Sequence, residues 1–512
     1  MSTPNIKSLS NLNLSQRCIL DRWIFKPTYG IFYFKLILTL FLILITVPTA
    51  TAQLAKPDLS FETYGIVSSS GNTPFWLQSN RHGMFSTEGT QFLARFQAHG
   101  AEQFGGRDGN RFTLRYGADF ISRPGEQSTA SFNQGYLRLD GWGLFLQAGR
   151  FHNTSPIHDE ELGMGSLGVS GNATPIPQIR AGLTDWTSLP FTRDFIQIKG
   201  HMAHGWLGSE RYVSDVLYHE KVGHARFGGD FPLNLYGGIA QYVLWGGTEP
   251  NGTQRPNTFT DFLRVAIAIS GGEGAPGEDR VYVIGNQLGA WDFGFFLELD
   301  AFNMKVYRQF PLETKDNLKF KSPQDALTGI TIEPASKLNL PVRKLTYEFL
   351  YTKYQDGPRR PNTGGDLTRD LFRGNENYYN HGSYRTGWVY NNFTIGNPLF
   401  IPSSDPNIGV FNNRIVGHHL GVSFSLPGDI SLSTKGTFSR NYGKRWDNRI
   451  PEDTEKAPLF DPSIDQWSLF TGIEIPIAFQ QQNFNLTAEA GYDKGKLAGD
   501  QFGMLIGLRW SL

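Results

Sequence analysis

Apolar and polar residues alternate one by one along much of this chain. Phe112, Leu114, Tyr116, Ala118 and Phe120 share one parity, and Arg115 and Asp119 the other. Ile196, Ile198 and Met202 alternate with Gln197, Lys199 and His201. Trp291, Phe293, Phe295, Leu297 and Leu299 alternate with Asp292, Glu298 and Asp300. Leu345, Tyr347, Phe349 and Tyr351 oppose Thr346, Glu348 and Thr352; Phe484, Leu486, Ala488, Ala490 and Tyr492 oppose Asn485, Thr487 and Glu489. In the final stretch Phe502, Met504, Ile506, Leu508, Trp510 and Leu512 face one way. Gln501, Gly503, Gly507, Arg509 and Ser511 face the other, with Leu505 the one exception. Successive side chains of a strand point to opposite faces, so this period of two predicts antiparallel sheet with one greasy and one polar face.

Alternation leaves open whether the greasy face meets lipid or a protein core. The N-terminus bears on this. Ile31–Val47 is apolar apart from Lys35, Thr39 and Thr46, follows Lys7, Arg17, Arg22 and Lys26, and leads into Ala50-Thr51-Ala52. Those small residues have signal-peptidase spacing, so a leader over 1–52 is expected to be cleaved, leaving Gln53 first. The rival is a retained helix, for which about 17 residues is near the lower limit. After Gln53 no stretch has the length and apolarity of a membrane helix. Aromatics stand at strand ends (Trp291, Trp467, Tyr492, Trp510), where the interfacial girdles of an outer-membrane barrel lie. A mean hydropathy of −0.33 is compatible with such a barrel, because the two faces cancel in any window.

Connection lengths test the topology. With the C-terminal end periplasmic, 493–500 becomes an outer loop, Gln480–Asn483 a short inner turn, 441–466 a long outer loop and Pro427-Gly428-Asp429 another inner turn. Before about Val416 the rhythm breaks: residues 355–383 are long and fall on the wrong side. Asp261–Ser270 alternates like a strand through Leu263, Val265, Ile267 and Ile269, yet Phe259, Phe262, Leu263 and Ala266 also fit a periplasmic amphipathic helix capped at Asn257. The expected architecture is an all-β, transmembrane antiparallel β-barrel of about 16–18 strands over 53–512, with long extracellular loops.

Candidate chemistry is sparse. Cys18, the single cysteine, falls in the leader, which removes disulfides and thiol catalysis. The leader also takes five basic residues and one acidic from 47 of each, leaving a net charge of −4 and no support for nucleic-acid binding. His219 and His224 flank Glu220-Lys221-Val222-Gly223, but zinc proteases need histidines four apart on a helix; five apart on a strand they diverge. His418 and His419 diverge for the same reason. His158-Asp159-Glu160-Glu161 reads as a cation site or, preferably, a solvated acidic loop. His201, His204, Asp215 and Ser439 are the residue types of a rim hydrolase, with no motif to unite them. No catalytic residue, metal or cofactor is therefore assigned. The outer loop 441–466 offers Tyr442, Arg445, Trp446 and Arg449. Sugar rings pack on aromatic planes and arginine forks bind sugar carboxylates, so these four are the glycan-binding candidates. Girdle aromatics and lipid-headgroup cations are the equal alternative.

A series of short blocks carries a resemblance. Gly163-Met164-Gly165-Ser166-Leu167 leads into Ser170-Gly171-Asn172-Ala173-Thr174-Pro175-Ile176-Pro177, then His204-Gly205-Trp206, Arg211-Tyr212-Val213 and Leu217-Tyr218-His219-Glu220-Lys221. Trp245-Gly246-Gly247, Gly285-Asn286-Gln287-Leu288-Gly289, Asn377-Tyr378-Tyr379-Asn380-His381 and Gly396-Asn397-Pro398-Leu399-Phe400 follow. Their order resembles the Wzi-type capsule-assembly proteins of the outer membrane. The resemblance implies an 18-stranded barrel with helical elements near its periplasmic end. It implies a lectin-like protein that helps attach or assemble capsular polysaccharide at the cell surface, and neither an enzyme nor an open pore. The expected partners are capsular or exopolysaccharide and outer-membrane lipid. From the residues alone, a diffusion channel with a polar inner face (Arg115, Asp119, Lys199, Glu298, Glu489) and, less favoured, the rim hydrolase remain as alternatives.

Overall fold

A computed structural model describes residues 56–105, 111–124, 129–153, 155, 157–271, 283–313, 320, 322–355, 376–405, 407–444 and 459–511. The expected leader lies outside these residues. Eighteen antiparallel strands form the wall: β1 (Asp58–Ser68), β2 (Gln91–Phe104), β3 (Phe112–Arg123), β4 (Thr129–Gly141), β5 (Leu144–Arg150), β6 in two pieces (Gln178–Leu183 and Thr187–Ser188), β7 (Ile196–Trp206), β8 (Leu217–Phe227) and β9 (Leu233–Trp245). They continue as β10 (Asn286–Glu298), β11 (Phe302–Pro311), β12 (Ala326–Pro334), β13 (Val342–Tyr351), β14 (Ile415–Leu426), β15 (Ile430–Gly443), β16 (Leu459–Phe479), β17 (Gln482–Gly495) and β18 (Gln501–Ser511). Each pairs with its neighbour in sequence. β18 then pairs with β1, from Ser60 opposite Ser511 to Ser68 opposite Gly503, so the sheet is closed and has no free edge.

The parity read from the sequence holds around the wall. Phe96, Phe120, Phe293, Tyr347, Phe502, Met504 and Ile506 are exposed on the outer face, where lipid lies. Asp119, Asp292, Glu348 and Thr346 are buried on the inner one. Phe484 stacks on Trp510 near the terminal end, and Phe438 packs against Trp467 near the other, which places aromatic bands at both ends.

At the end where β1 begins and β18 finishes, every connection is short: residues 105–111, 142–143, 189–195, 228–232, 299–301, 335–341, 427–429 and 480–481. All the long ones, 69–90, 151–177, 246–285 and 352–414 among them, leave from the opposite end. Short turns mark the periplasmic side of such barrels, so the long connections start outside. This corrects the break before Val416. β13 ends and β14 begins at the outer end, so the connection between them starts and finishes there; its short paired pieces, Val389–Tyr390 with Phe393–Thr394 and Ile401–Pro402 with Val410–Asn412, are not wall strands.

Helix placement also departs from expectation. Among the described residues the periplasmic turns hold only one 3-10 turn, Ser336–Leu338. The two α-helices, α1 (Phe75–Gln78) and α2 (Phe259–Ala266), lie on outer-side connections. The helical alternative is correct for 259–266, but its cap is Thr258 rather than Asn257. The Thr258 hydroxyl accepts from the Asp261 N–H, and the Asp261 carboxylate accepts from the Thr258 N–H.

Connections 69–90, 151–177 and 376–414 turn inward and fill the lumen. Trp76, Leu77, Met164, Leu167, Tyr379 and Phe400 form one apolar core with the inward wall residues Leu93, Ile121, Leu327, Leu350 and Leu505. Leu505, the exception in the last strand, is wholly buried there. The small residues of that strand matter too: a Cβ on Gly503 would stand 2.8 Å from Pro74 Cδ. Gly503→Leu should therefore overpack the α1 seat and cost about 1–3 kcal/mol. Trp76→Ala, which empties the seat and removes the indole bond to Thr437, should cost about 3–5 kcal/mol. Urea unfolding midpoints of the purified barrel check both.

Candidate glycan-binding surface and the filled lumen

The inner wall is polar because it has polar backbone to hold. The 69–90 connection donates from the Phe75 N–H to Asp493 at 2.8 Å and from the Trp76 indole to Thr437 at 3.0 Å; Arg81 pairs with Glu489 at 2.7 Å. The 151–177 connection is fixed at Glu348, which accepts from the Met164 N–H and the Tyr307 hydroxyl. Gln309 accepts from the Leu167 N–H at 2.5 Å, and His419 bonds the Leu162 carbonyl at 2.5 Å. The third connection is tied to the second. Tyr379 donates to the Leu167 carbonyl at 2.7 Å, Asn397 to that of Gly165 at 2.6 Å and Ser170 to that of Gly396 at 2.6 Å. Irregular backbone at membrane depth is tolerated only when its polar groups are satisfied in this way.

Residues from the sequence-derived channel and hydrolase readings are committed elsewhere. Lumen-facing His201 bonds Glu220 at 2.6 Å, while His204 points outward from the same strand. Ser439 is buried eight strands away on β15, beside Asn441. His219 and His224 lie on opposite faces, as their odd spacing requires; His224 reaches Asp292 at 3.0 Å. Asp159 is buried instead of solvated, accepting from Thr346 at 2.9 Å with Lys344 at 3.4 Å. The turn 158–161 roofs a periplasm-facing cavity of about 460 Å³ walled by Glu298, Lys305, Glu333 and Lys344. Among the described residues no three His, Cys, Asp or Glu side chains converge as a metal site.

The outer rim carries aromatic and cationic groups. Tyr442 lies there at the end of β15, with Lys353 Nζ 4.1 Å from its ring centre. Arg445, Trp446 and Arg449 lie outside the described residues. Sequence reading missed a second pair: Arg385, exposed, sits over the Tyr212 ring at 4.6 Å. Their backbones are locked together, since Tyr212 N–H donates to Thr386 at 2.9 Å and Arg211 reaches the carbonyls of Gly387 and Val389. The two residues are 173 positions apart and no local motif links them; the quoted block Arg211-Tyr212-Val213 was the nearest signal.

A family model described as capsule assembly protein Wzi matches residues 69–406. The chain belongs to the Wzi family. The match covers the connections 69–90 and 151–177 and the third as far as 406, and includes Tyr212 and Arg385; Tyr442 and its neighbours lie beyond it. Among solved structures, the chain is similar to Wzi of Escherichia coli, described as an outer membrane protein involved in group 1 capsule assembly and a carbohydrate-binding β-barrel. The identity is 14%, over 88% of this chain and 83% of that one, with a TM-score of 0.50. OprD of Pseudomonas aeruginosa matches at 8% identity over 91% and 96%, with a TM-score of 0.43. No curated protein matches in sequence. This Wzi-family protein is an outer-membrane barrel.

One latch outside the strands is pH-sensitive. Asp325 accepts from the N–H groups of Tyr354 and Gln355 and from the Tyr378 hydroxyl, joining the 312–325 connection to 352–414. Burial still wins over these donors and raises its carboxyl to about 6. The folded chain thus holds the proton more tightly than the unfolded one. That stabilisation is complete below about pH 4 and is lost as pH rises through about 6. The thermal midpoint should fall between pH 5 and pH 7 more steeply in the native protein than in Asp325→Asn; equal slopes would remove Asp325 from the account. Separately, Glu348→Ala should cost about 1–3 kcal/mol for each buried donor it strands, read as a lowered urea midpoint.

Proposed function

We propose that this Wzi-family barrel binds capsular polysaccharide at its outer rim, helps hold it on the cell surface, and does so without chemical turnover. The observation that carries this reading is the filled lumen. Three connections packed into an apolar core leave a barrel whose usable surfaces are its rim and its lipid-facing wall. Family membership in capsule assembly and the carbohydrate binding of the Escherichia coli relative support the polysaccharide as ligand. The rim chemistry supports it further: an aromatic plane beside a cation suits a sugar ring bearing a carboxylate. Tyr212 with Arg385 is one such place; Tyr442 with the sequence-derived Arg445, Trp446 and Arg449 is the other. Outer-membrane lipid is the second partner, against the outward apolar face. The leader 1–52 is proposed to be removed, which N-terminal sequencing of the mature protein reads as a start at Gln53.

The packed lumen weighs against a diffusion channel. In planar bilayers the purified protein should give no steady ion conductance, whereas a porin-like current would overturn the closed-lumen reading. In cells, the pairs Tyr212→Ala with Arg385→Ala and Trp446→Ala with Arg449→Ala should each shift capsule from the cell-bound fraction to the medium. Unchanged retention in one pair removes that place; unchanged retention in a full deletion removes the role.

A further inference from the structure

Helix α2 stands apart from the lumen-filling connections, because it packs on the outside of the wall. On β7, β8 and β9 the residues that face the lumen are Ala203, Glu220 and Tyr242, which lie opposite one another in register. His204, His219, Lys221, Val243 and Trp245 therefore face outward. The helix covers them. Phe262 packs edge-on against both His204 and His219, and tilted against Trp245. Val265 completes a small apolar cluster with Val243, Trp245 and Ile284. Lys221 Nζ donates to the carbonyls of Val265 at 3.1 Å and Ala266 at 2.9 Å, a cation closing the C-terminal end of the helix.

The covered residues lie within four positions of the outer ends of their strands, or within roughly 13 Å of the rim at about 3.3 Å per residue. Two histidines and a lysine on the outward face at that depth would meet hydrocarbon if left bare, at substantial cost. Away from the wall, α2 exposes Phe259 and Leu263 beside Thr260 and Arg264, and the chain just after it exposes Ile267 and Ile269. Phe259 is 75% exposed and Ile267 69%, whereas Val265 is fully buried. Four exposed large apolar side chains on and just after so short a helix are unsuited to a water-facing loop.

Below the Lys221–Gln241 pair of β8 and β9, Gly223 and Ile239 face outward into an apolar groove of about 630 Å³. Its floor is Gly200 and Gly223, and its sides are Ile198, Ile239, Trp291 and Phe293. Groove and helix lie in line from the middle of the wall toward the outer rim, with the paired outward residues Lys221 and Gln241 between them.

We infer that α2 is embedded in the outer leaflet of the membrane, where its outward face and the groove beneath it are covered by lipid acyl chains. The helix shields the polar outward patch of β7–β9 and widens the barrel's hold on the leaflet. This placement does not depend on what the rim binds.

The sequence makes a direct test possible, because its one cysteine, Cys18, lies in the expected leader. Single cysteines are introduced by Phe259→Cys, Leu263→Cys and Ile267→Cys and spin-labelled, with the barrel in lipid nanodiscs. Leu420→Cys, on the bare outward wall, supplies the lipid reference; Asn251→Cys, on an exposed loop, supplies the water reference. Heat-dependent gel mobility confirms that each variant is a folded barrel. The expected result is that oxygen relaxes all three helix labels more than a water-soluble nickel chelate does, as at Leu420. Labels at 259, 263 and 267 that respond to the chelate as strongly as the label at 251 would overturn the inference.

Discussion

A closed sheet of eighteen strands encloses more space than its own side chains can fill. Most of what distinguishes this protein follows from how that space is used. Closure itself is ordinary, with β1 and β18 joined along the Phe61–Trp510 pairing. The interior could hold water, as in a porin. Here it holds three stretches of the chain, each bringing backbone that must find partners. The inner wall is polar for that reason. Glu348, Gln309, Asp493 and His419 accept or donate to main-chain groups of the inserted connections. A row of inward polar residues reads in sequence like a water-filled channel. In the folded barrel it is the set of anchors for a solid filling.

The wall was legible in sequence because strand parity is a local property with a period of two. Direction and sidedness followed from short turns such as Pro427-Gly428-Asp429. The filling was not legible, since it has no period of its own: Gly163–Pro177 and 376–414 are held by contacts with distant strands. Leu505 was the clue at hand. An apolar residue on the small, polar face of the last strand required an apolar neighbour inside the barrel, and Trp76 and Leu77 belong to that core. The break in loop rhythm before Val416 had the same origin, because chain that enters the lumen and returns was counted as wall. The ambiguity at 259–270 arose because apolar residues continue past the end of α2 at Ile267 and Ile269, so helical and strand patterns fitted together.

The candidate site divided in the same way. Tyr442 could be proposed from sequence because its companions are adjacent. Tyr212 and Arg385 could not, because one sits between β7 and β8 and the other in the connection before β14. Their meeting depends on Arg211 bonding the carbonyls of Gly387 and Val389. His219 and His224 lie on opposite faces of β8, as their odd spacing in the sequence required.

The filling also changes what the rim can do. Sugars offer shallow apolar faces and many hydroxyls that water already satisfies, so a binding surface gains most when it loses little freedom on binding. A rim of loose loops would lose much. Here Tyr212 and Arg385 stand on segments tied to each other, and the 376–414 connection is tied in turn to 151–177 through Tyr379 and Asn397. That second connection is fixed to the wall at Glu348 and Gln309. The chain of bonds from wall to rim gives the outer surface the rigidity of the barrel. On this argument the packed lumen is a positive requirement of a surface-binding role, as well as a barrier to transport: it holds the rim in one shape.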